Sequence, residues 1–409
     1  MSPHYVIGVG MTRFGKLAGS TVKSLARAAI ESALADAGAK TSDVEAAFYA
    51  NTTQGALEGQ LMIGGQIVLR GMGIQGIPVT NVENACASGA TAFHLAQAYL
   101  KAGLADVVLA VGVDKMHSSD KARSAAVFNG GWDVQDVDNI AATLKEIAAG
   151  ANVPDGREAG GNSIFMDLYA SLAKAHMRDY GTSERQLATV ASKNHNHSTF
   201  NPLSQYQLGM SVEEVLAARM IAWPLTLPMC APISDGAAAA LLCNETALKR
   251  FPAARPIRIR ASVLASGVDR QAADAERHIC RIAARKAYDM AGAGPEDMSV
   301  AEVHDASAFA EIVQSENLGF CEIGQGGWLA EKMQTALGGK IPINPSGGLE
   351  SKGHPIGATG LGQIHELTLQ LRGAAGGRQV EGARLAIAEN GGGFYGVEEA
   401  AACITILGG

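Results

Sequence analysis

The chain has few aromatic residues and no excess of positive charge. Only 5% of its 409 residues are Phe, Trp or Tyr, and its formal net charge is −7 at pH 7. Stacking of single-stranded nucleic acid needs aromatic faces, and binding of a polyanion needs clustered Lys and Arg. We therefore expect no nucleic-acid partner.

Paired cysteine motifs are also missing. The six cysteines lie far apart and form no CxxC pair: Cys86, Cys230, Cys243, Cys280, Cys321 and Cys403. This spacing fits neither a zinc site nor a disulfide framework in a chain of this length. We expect reduced thiols, no metal and a cytoplasmic location, and we interpret every cysteine except Cys86 as a small packing residue.

Long apolar runs are absent too. No run reaches the roughly 18 residues that cross a bilayer, so we expect no membrane segment. A strand-like segment begins at residue 5 with no signal or transit region before it, and residues 407–409 carry no peroxisomal address.

Strand-like and helix-like segments alternate instead. Residues 5–9, 44–50 and 105–113 read as strands, and residues 22–37 read as a helix that Gly38 ends. Such alternation predicts an α/β fold with a parallel sheet covered on both faces. A polar, helix-rich stretch interrupts it, and the pattern repeats from about residue 256, which favours a duplicated fold.

Cys86 lies where an extended segment, residues 77–82, meets an alanine-rich helix that runs to Lys101. The positive end of a helix dipole favours a thiolate, so this position indicates a nucleophile. The alternative is an inert core thiol.

Three further stretches contain polar residues at strand ends or in glycine-rich turns: residues 302–306, 353–360 and 389–393. In α/β sheets such places host active sites. His304 and His354 can supply a base and a donor for a thioester oxygen, and the turn at Gly391–Gly393 can present a bare backbone N–H.

Several sequence motifs fall in a specific order. They are NACASG (84–89), SDGAA (234–238), HD (304–305), NPSGG (344–348) and GHPIG (353–357). Over nearly its whole length the chain resembles the thiolase superfamily. The HD motif and residues 180–182, 194–197 and 201–202 resemble the sterol-carrier-protein type.

The resemblance implies a fold and its boundaries. It implies a thiolase fold in which duplicated βαβαβαββ halves form a five-layer αβαβα arrangement with an inserted loop domain. The N-terminal half would span residues 1–245, including a loop domain at about 115–225, and the C-terminal half would span residues 256–409.

The resemblance also implies a role for each matching residue. Cys86 would be acylated, His354 would deprotonate it, and His304 would bind the thioester oxygen. The backbone N–H groups of Cys86 and Gly393 would form a second oxyanion hole. Ser262 falls where the family often has a serine near the pantetheine arm of CoA.

The function implied is that of an acyl-CoA C-acyltransferase, or thiolase, which makes or cleaves the Cα–Cβ bond of a 3-ketoacyl-CoA through an acylated Cys86. Acyl-CoA and CoA would be substrates, with no cofactor, in the degradation of fatty acids or steroids. Relatives are typically homodimers or homotetramers, and some work with a small OB-fold protein.

The chain departs from the family pattern at two places. Glu389 stands where thiolases commonly have a second cysteine, and residues 271–278 replace an MGxGP turn beside the CoA site. A glutamate could transfer the proton if burial raises its pKa. Glu389 could instead cap a turn or pair with an arginine.

Other functions remain open beside the thiolase. A thiolase-like aldolase that cleaves a β-hydroxyacyl-CoA would explain Glu389, and a scaffold subunit would keep the fold while a partner dictates the function. A ketoacyl-ACP synthase fits the GHP and HD motifs less well. His195 and His197 have no third metal ligand at suitable spacing, so we predict a solvated helix end there.

Overall fold

The structure is a computed structural model, and it describes residues 3–155 and 163–409. The strands are β1 (His4–Met11), β2 (Ala46–Ala50), β3 (Val79–Val82), β4 (Val107–Lys115), β5 (Met220–Ala222), β6 (Leu225–Thr226), β7 (Asp235–Asn244), β8 (Ile257–Ser266), β9 (Val300–Glu302), β10 (Leu385–Gly392) and β11 (Ala401–Gly408). The helices are α1 (Val22–Ala37), α2 (Gln54–Glu58), α3 (Gly64–Arg70), α4 (Ser88–Lys101), α5 (Lys121–Asn129), α6 (Val137–Ile147), α7 (Ile164–Tyr180), α8 (Glu184–Ser198), α9 (Val212–Ala217), α10 (Glu245–Leu248), α11 (Ile279–Ala291), α12 (Ala308–Asn317), α13 (Gly326–Glu331) and α14 (Thr359–Leu371).

Nine strands form one mixed sheet in the order β3-β2-β4-β7-β1-β8-β11-β10-β9. Neighbours are parallel where β2 meets β3 and β4 and where β10 meets β9, and antiparallel elsewhere. The prediction of a parallel sheet is therefore wrong for its middle. β11 follows β10 directly and antiparallel, and β7 returns antiparallel to β4 only after the inserted helices. The alternation seen in residues 1–115 could not reveal either connection.

The two halves of the sheet meet at β1 and β8. Only Tyr5 with Arg258 and Val6 with Ile257 are paired between these strands. The predicted limits of the halves, near residues 245 and 256, and of the loop domain stay predictions.

The halves of the sheet and the helices stack in five layers, αβαβα, as predicted. α1 packs its Ile30 against β1, β4 and β7 on one outer face. α4 and α14 lie between the two halves, where Phe93 and Leu361 join one core with residues of both. α11 covers the other outer face, with Ala284 against Ile404 of β11.

α1 shows why the chain uses so much glycine and alanine. Thr21 caps the helix in a capping box with Ser24, and Gly38 ends it in the left-handed region at φ 67°. A Cβ at Gly8 of β1 would lie 2.1 Å from the carbonyl oxygen of Ala33. The helix and the strand therefore touch backbone to backbone, and the predicted bounds of this helix are confirmed.

The insertion forms helices of its own, α5 to α9, as expected for a segment of this length. The interpretation of His195 and His197 as a solvated helix end is wrong. Both are buried, at 4% and 5% exposure, because α8 packs inside the domain. Nδ1 of His197 donates to the carbonyl oxygen of Asn344, 3.0 Å away, and Nε2 accepts the N–H of Leu337. Within the described residues, the helices are all too short or too polar to cross a lipid bilayer.

Candidate active site

Cys86 lies in a tight turn between β3 and α4. The turn is a single 3₁₀ segment, Ala85–Ala87, and α4 begins only at Ser88. Ala85 has φ 47°, an unusual conformation for a residue with a Cβ. The Ser88 hydroxyl stabilises the turn because it donates to the carbonyl oxygen of Ala85 and accepts the N–H of Asn84. Cys86 therefore precedes the helix by one short turn, and the residue as a whole is intermediate between buried and exposed.

His354 is held by a loop that only glycine permits. Gly353 has φ 114°, and a Cβ there would lie 2.8 Å from the Ser234 hydroxyl. That hydroxyl accepts the backbone N–H of His354 at 2.9 Å. The imidazole Nδ1 lies 2.7 Å from Oγ1 of Thr359, which donates its own proton to the carbonyl oxygen of Pro355. Nδ1 must then carry the proton, which leaves the lone pair of Nε2 free to act as a base.

His304 follows the end of β9, and its backbone N–H donates to Oε2 of Glu389 at 2.9 Å. Neither ring nitrogen has a hydrogen-bond partner among the described residues. The rings of His304 and His354 meet edge to face, with centroids 5.3 Å apart. Asp305 turns away from them and accepts the N–H of Leu349. The imidazole of His304 is thus fixed by its backbone and free to bind a ligand.

The three predicted side chains converge. Sγ of Cys86 and one ring nitrogen each of His304 and His354 lie within 4.8 Å of one another. The backbone N–H groups of Gly393 and of Cys86 itself point to the sulfur. Gly393 reaches this position in the left-handed region, at φ 63°. An electrophile at the sulfur would therefore meet a base, an imidazole and two backbone donors.

The charges of the site differ from the expectation that the helix dipole would favour a thiolate. Burial raises the pKa of the Cys86 thiol to about 12, and the carboxylates of Asp114 and Glu83 add to the rise. The backbone N–H groups of Gly393 and Cys86 lower this pKa and offset part of the rise. Burial lowers the pKa of His304 to about 4, and burial and His304 lower the pKa of His354 well below its usual value. All three shifts favour an uncharged thiol and uncharged imidazoles, so burial opposes the thiolate that the helix dipole was expected to favour.

Glu389 lies beside this group on β10. Its Oε2 accepts the His304 N–H, and the Cys280 thiol lies 3.4 Å from its Oε1. Burial, with the nearby Glu399, raises its pKa to about 8, so the carboxyl is protonated at neutral pH. It has no arginine partner among the described residues and caps no turn. Burial thus meets the condition named for proton transfer by Glu389, and that role stays a prediction.

Ser262 lies apart from these residues. Its hydroxyl is 3.0 Å from Nδ1 of His94 and 3.5 Å from Oγ1 of Thr405. It lines a shallow surface pocket with His94 and Lys286, and that pocket contains none of the residues around Cys86. Contact of Ser262 with CoA stays a prediction.

Sequence reasoning missed the residues that hold the site together. Asp114, at the end of β4, accepts the N–H groups of Thr53 and Gly357 and so ties the loop after His354 to the sheet. Thr359 sets the tautomer of His354, and its position five residues later was a usable signal. Tyr169 comes from the insertion, and its phenol lies near Glu399, Cys86 and Glu389. No local pattern could have indicated that contact.

Two groups of side chains have donor atoms that suit a transition metal: Cys86 with His304 and His354, and His278 with Cys280 and Glu399. In the second group Nδ1 of His278 accepts the backbone N–H of Cys280. Nε2 therefore carries the proton and cannot ligate a metal. The first group keeps its sulfur protonated, and the expectation of no metal stays a prediction.

Comparison with known families matches both halves of the chain. The model for the thiolase N-terminal domain matches residues 4–209, and the model for the thiolase C-terminal domain-like family matches residues 264–408. Together they cover most of the chain.

Curated relatives match along nearly the whole chain. An acetyl-CoA acetyltransferase of Methanothermobacter thermautotrophicus is 38% identical, over 96% of each chain. Sterol carrier protein 2 of Gallus gallus is 38% identical, over 94% of this chain and 69% of the relative. Benzoylsuccinyl-CoA thiolase subunit BbsB of Thauera aromatica is 34% identical, over 92% of this chain and 91% of the relative.

Solved structures share the fold. The Ltp2–ChsH2(DUF35) aldolase superposes with a TM-score of 0.77 at 23% identity, over all of this chain and 98% of that chain. Human mitochondrial 3-ketoacyl-CoA thiolase superposes with a TM-score of 0.71 at 16% identity, again over all of this chain and 98% of that one. At these identities the likeness concerns the fold.

Proposed function

The chain belongs to the thiolase family, and from that premise we propose that it is an acyl-CoA C-acyltransferase that makes or cleaves the Cα–Cβ bond of a 3-ketoacyl-CoA through an acyl-Cys86 intermediate. One observation supports this above the others. A thiol, two imidazoles and two backbone N–H groups converge within a few ångströms, which acyl transfer to sulfur requires.

The first step is attack by sulfur. Because both Cys86 and His354 are uncharged, Nε2 of His354 takes the thiol proton as the sulfur approaches the 3-keto carbon. The new C–S bond gives a tetrahedral oxyanion, to which the N–H groups of Cys86 and Gly393 donate. Donors of this kind contribute about 10²–10³ in rate each.

The second step is cleavage of the Cα–Cβ bond. The electron pair stays on Cα as the enolate of the departing CoA ester, and a ring N–H of His304 donates to the enolate oxygen. His304 suits this role because it is neutral and has no other partner among the described residues. The protonated carboxyl of Glu389 then gives its proton to Cα, and the products are a CoA ester and acyl-Cys86.

The third step regenerates the thiol. The ionised Glu389 takes the proton of an incoming CoA thiol, whose sulfur attacks the acyl group on Cys86. His354 returns its proton to the Cys86 sulfur as the C–S bond breaks. Every proton taken is given back, so CoA acts as a substrate and no cofactor is consumed.

We extend the proposal to the oligomeric state, a partner protein and the cellular location. A homodimer or homotetramer is supported by an exposed sheet edge at β3. A small partner protein is supported only by the name of the aldolase neighbour, which pairs it with a DUF35 protein. Contact of the pantetheine arm with Ser262, a role in lipid degradation and a cytoplasmic location remain part of the proposal.

Mass spectrometry tests the acyl-enzyme. Incubation with acetyl-CoA or acetoacetyl-CoA should add an acyl mass to the peptide that contains Cys86, and Cys86→Ala should abolish it. Cys321→Ala is the matched control, since Cys321 is also partly exposed. An adduct that persists in Cys86→Ala, or fails to appear with any acyl-CoA, contradicts the proposal.

A second candidate is a thiolase-like aldolase acting on a β-hydroxyacyl-CoA. The observation in its favour is Glu389 at the position predicted for a second cysteine, because a carboxylate can deprotonate the β-hydroxyl group. An aldolase would release an aldehyde or ketone from the β-hydroxyacyl-CoA without an acyl mass on Cys86. Product analysis with both substrate types separates the two functions.

A further inference from the structure

A cavity of about 460 Å³ adjoins the candidate site. Its walls come from α6, α7, α12 and the segments 269–278 and 394–399. Three lining residues connect it with the site. Phe394 directly follows Gly393, the phenol of Tyr169 lies near Cys86, and the Glu399 side chain packs against Gly391. The cavity therefore begins at the turn that faces the Cys86 sulfur.

Part of the cavity lining is apolar. Its lining includes Tyr169, Leu172, Phe309, Val313 and Phe394. Aromatic rings present rigid, flat surfaces that suit a ring or a branched hydrocarbon. A volume of this size exceeds what an acetyl group needs.

A second part of the lining is polar and buried. It is formed by His278, Gln314, Asn317 and Glu399. The Gln314 amide donates to Oε1 of Glu399 at 3.0 Å. Oε2 of Glu399 makes no hydrogen bond with any described residue, although the side chain is only 6% exposed. A buried polar atom without a partner is costly, which indicates a missing ligand.

The groups near that oxygen define what the ligand offers. Nε2 of His278 carries a proton and lies 3.4 Å from Oε2. Burial raises the pKa of Glu399 to about 7, so the carboxyl can both donate and accept near neutral pH. Arg270 also lines the cavity, but its Nε donates to Glu398, its Nη1 donates to the carbonyl oxygens of Gln271 and Asp274, and its Nη2 lies 3.5 Å from the carbonyl oxygen of Val397. It is not available to a carboxylate, so the ligand oxygen should be uncharged.

We propose that this cavity holds the acyl chain of the substrate, and that Glu399 and His278 hydrogen-bond a hydroxyl or keto oxygen on that chain. The substrate class would be a ring-bearing or branched acyl-CoA that carries an uncharged oxygen away from the thioester. This inference rests on the proposed function, because it assigns the acyl group that Cys86 receives.

Binding of matched ligands tests the inference without catalysis. The full chain with Cys86→Ala is titrated by calorimetry with ω-(4-hydroxyphenyl)alkanoyl-CoA esters of several chain lengths and with their ω-phenyl partners. At one length or more the hydroxyl should tighten binding on the order of tenfold, as one buried hydrogen bond to a carboxyl does. Equal affinities at every length would overturn the inference.

Two variants locate the contact. Glu399→Leu should remove the preference for the hydroxyl, whereas Asp269→Asn, at the exposed rim of the same cavity, should retain it. If Glu399→Leu does not fold, Gln314→Leu should weaken the preference instead, because it removes the amide that holds the Glu399 carboxyl in place. A preference that is unchanged in whichever of the two variants folds overturns the inference.

The outcome is separable from that of the proposed function. Acyl-Cys86 formed from acetyl-CoA, together with equal binding of the matched ligands, would leave the acyltransferase intact and reject the cavity as a site for an oxygenated chain. A clear preference for the hydroxyl ligands without any acyl adduct on Cys86 would support the cavity as a binding site and reject the acyltransferase.

Discussion

At Cys86 two electrostatic effects oppose each other. The dipole at a helix N-terminus stabilises an anion by about 0.3–1 kcal/mol, up to about 2 kcal/mol in buried geometries. Burial of an unpaired anion costs several kcal/mol. Since the thiol precedes α4 by a turn and both imidazoles are neutral, burial dominates and the pKa rises to about 12. In the proposed reaction Cys86 and His354 therefore begin as a neutral pair, as a serine and a histidine do.

Alkylation should report this neutral pair. We predict that the rate at which iodoacetamide modifies Cys86 climbs steadily from about pH 6 to 10, because the thiolate fraction still increases far above the usual cysteine pKa of about 8.5. Peptide mapping measures the rate at Cys86, and Cys86→Ser gives the background. A plateau with a midpoint below about pH 7 would instead reveal a preformed thiolate–imidazolium pair.

Glu389 should make stability depend on pH. Its pKa is about 8 in the folded chain, against an ordinary value of 4.5. The fold therefore favours the neutral carboxyl, and this stabilisation is fully present below about pH 4.5 and lost as pH rises toward 8. We predict that Glu389→Gln gains several kcal/mol in free energy of unfolding relative to wild type between about pH 5 and 9.

Urea unfolding at each pH measures this, and Glu381→Gln is the exposed control. If both variants follow the wild-type pH dependence, Glu389 is ionised in the folded chain and cannot be the proton donor. In turnover assays, Glu389→Gln should retain the acyl adduct and lose cleavage of the carbon–carbon bond. Unchanged turnover would remove this carboxyl from the mechanism.

The reacting atoms could be predicted from the sequence, but the surroundings that tune them could not. Cys86, His304, His354 and Gly393 lie in short motifs whose residue types carry the chemistry. The raised pKa of Cys86 comes from burial and from Asp114, and Asp114 reaches the site through the end of β4. Such contacts join residues far apart in the chain, and no periodicity encodes them.

Among the elements, β4, α4 and the loop after His354 approach one another without side chains between them. A Cβ at Gly112 of β4 would lie 2.0 Å from the carbonyl oxygen of Gly357, and one at Gly89 of α4 would lie 2.7 Å from the same atom. Asp114 also binds the N–H of Gly357. This close contact fixes the distance between Cys86 and His354.

Gly112→Ala should therefore displace the His354 loop. We predict a loss of about 1–3 kcal/mol in stability from overpacking, and about a hundredfold slower acylation if the loop shifts by an ångström. Thermal melting and the rate of adduct formation measure the two effects. Gly19→Ala is the control, because a Cβ there meets nothing within 4 Å. A Gly112→Ala protein that acylates at the wild-type rate would contradict this account.

Elements with complete local signals were predicted well. α1 has its N-cap at Thr21 and its C-cap at Gly38, and both bounds are confirmed. The start of α4 was predicted too early, since the 3₁₀ turn at Cys86 has the same small residues as the helix. The glycine turn was also placed too early. β10 continues to Gly392 because Gly391 and Gly392 pair with Ala402 and Ala401, and pairing depends on a distant strand.

For the molecule as a whole, the edge of the sheet at β3 is a candidate contact surface. β3 is the edge strand beyond β2, and Thr80 and Asn81 on it are exposed. The nearby residues Leu61, Met62 and Ile63 are 77%, 74% and 57% exposed. Proteins usually cover an edge strand flanked by apolar side chains, and a second copy of the chain is the simplest cover.

We predict that the chain is at least a dimer at micromolar concentrations. Met62→Asp should raise the dissociation constant of the dimer on the order of a hundredfold or more, because the interface would then bury an unpaired charge. Sedimentation velocity over a range of concentrations measures the dissociation constant. Leu208→Asp is the matched control, since Leu208 is 80% exposed and lies in another part of the molecule. A wild-type monomer would refute the dimer itself. Equal weakening by both variants would indicate that the dimer uses another surface, leaving the β3 edge to a different partner.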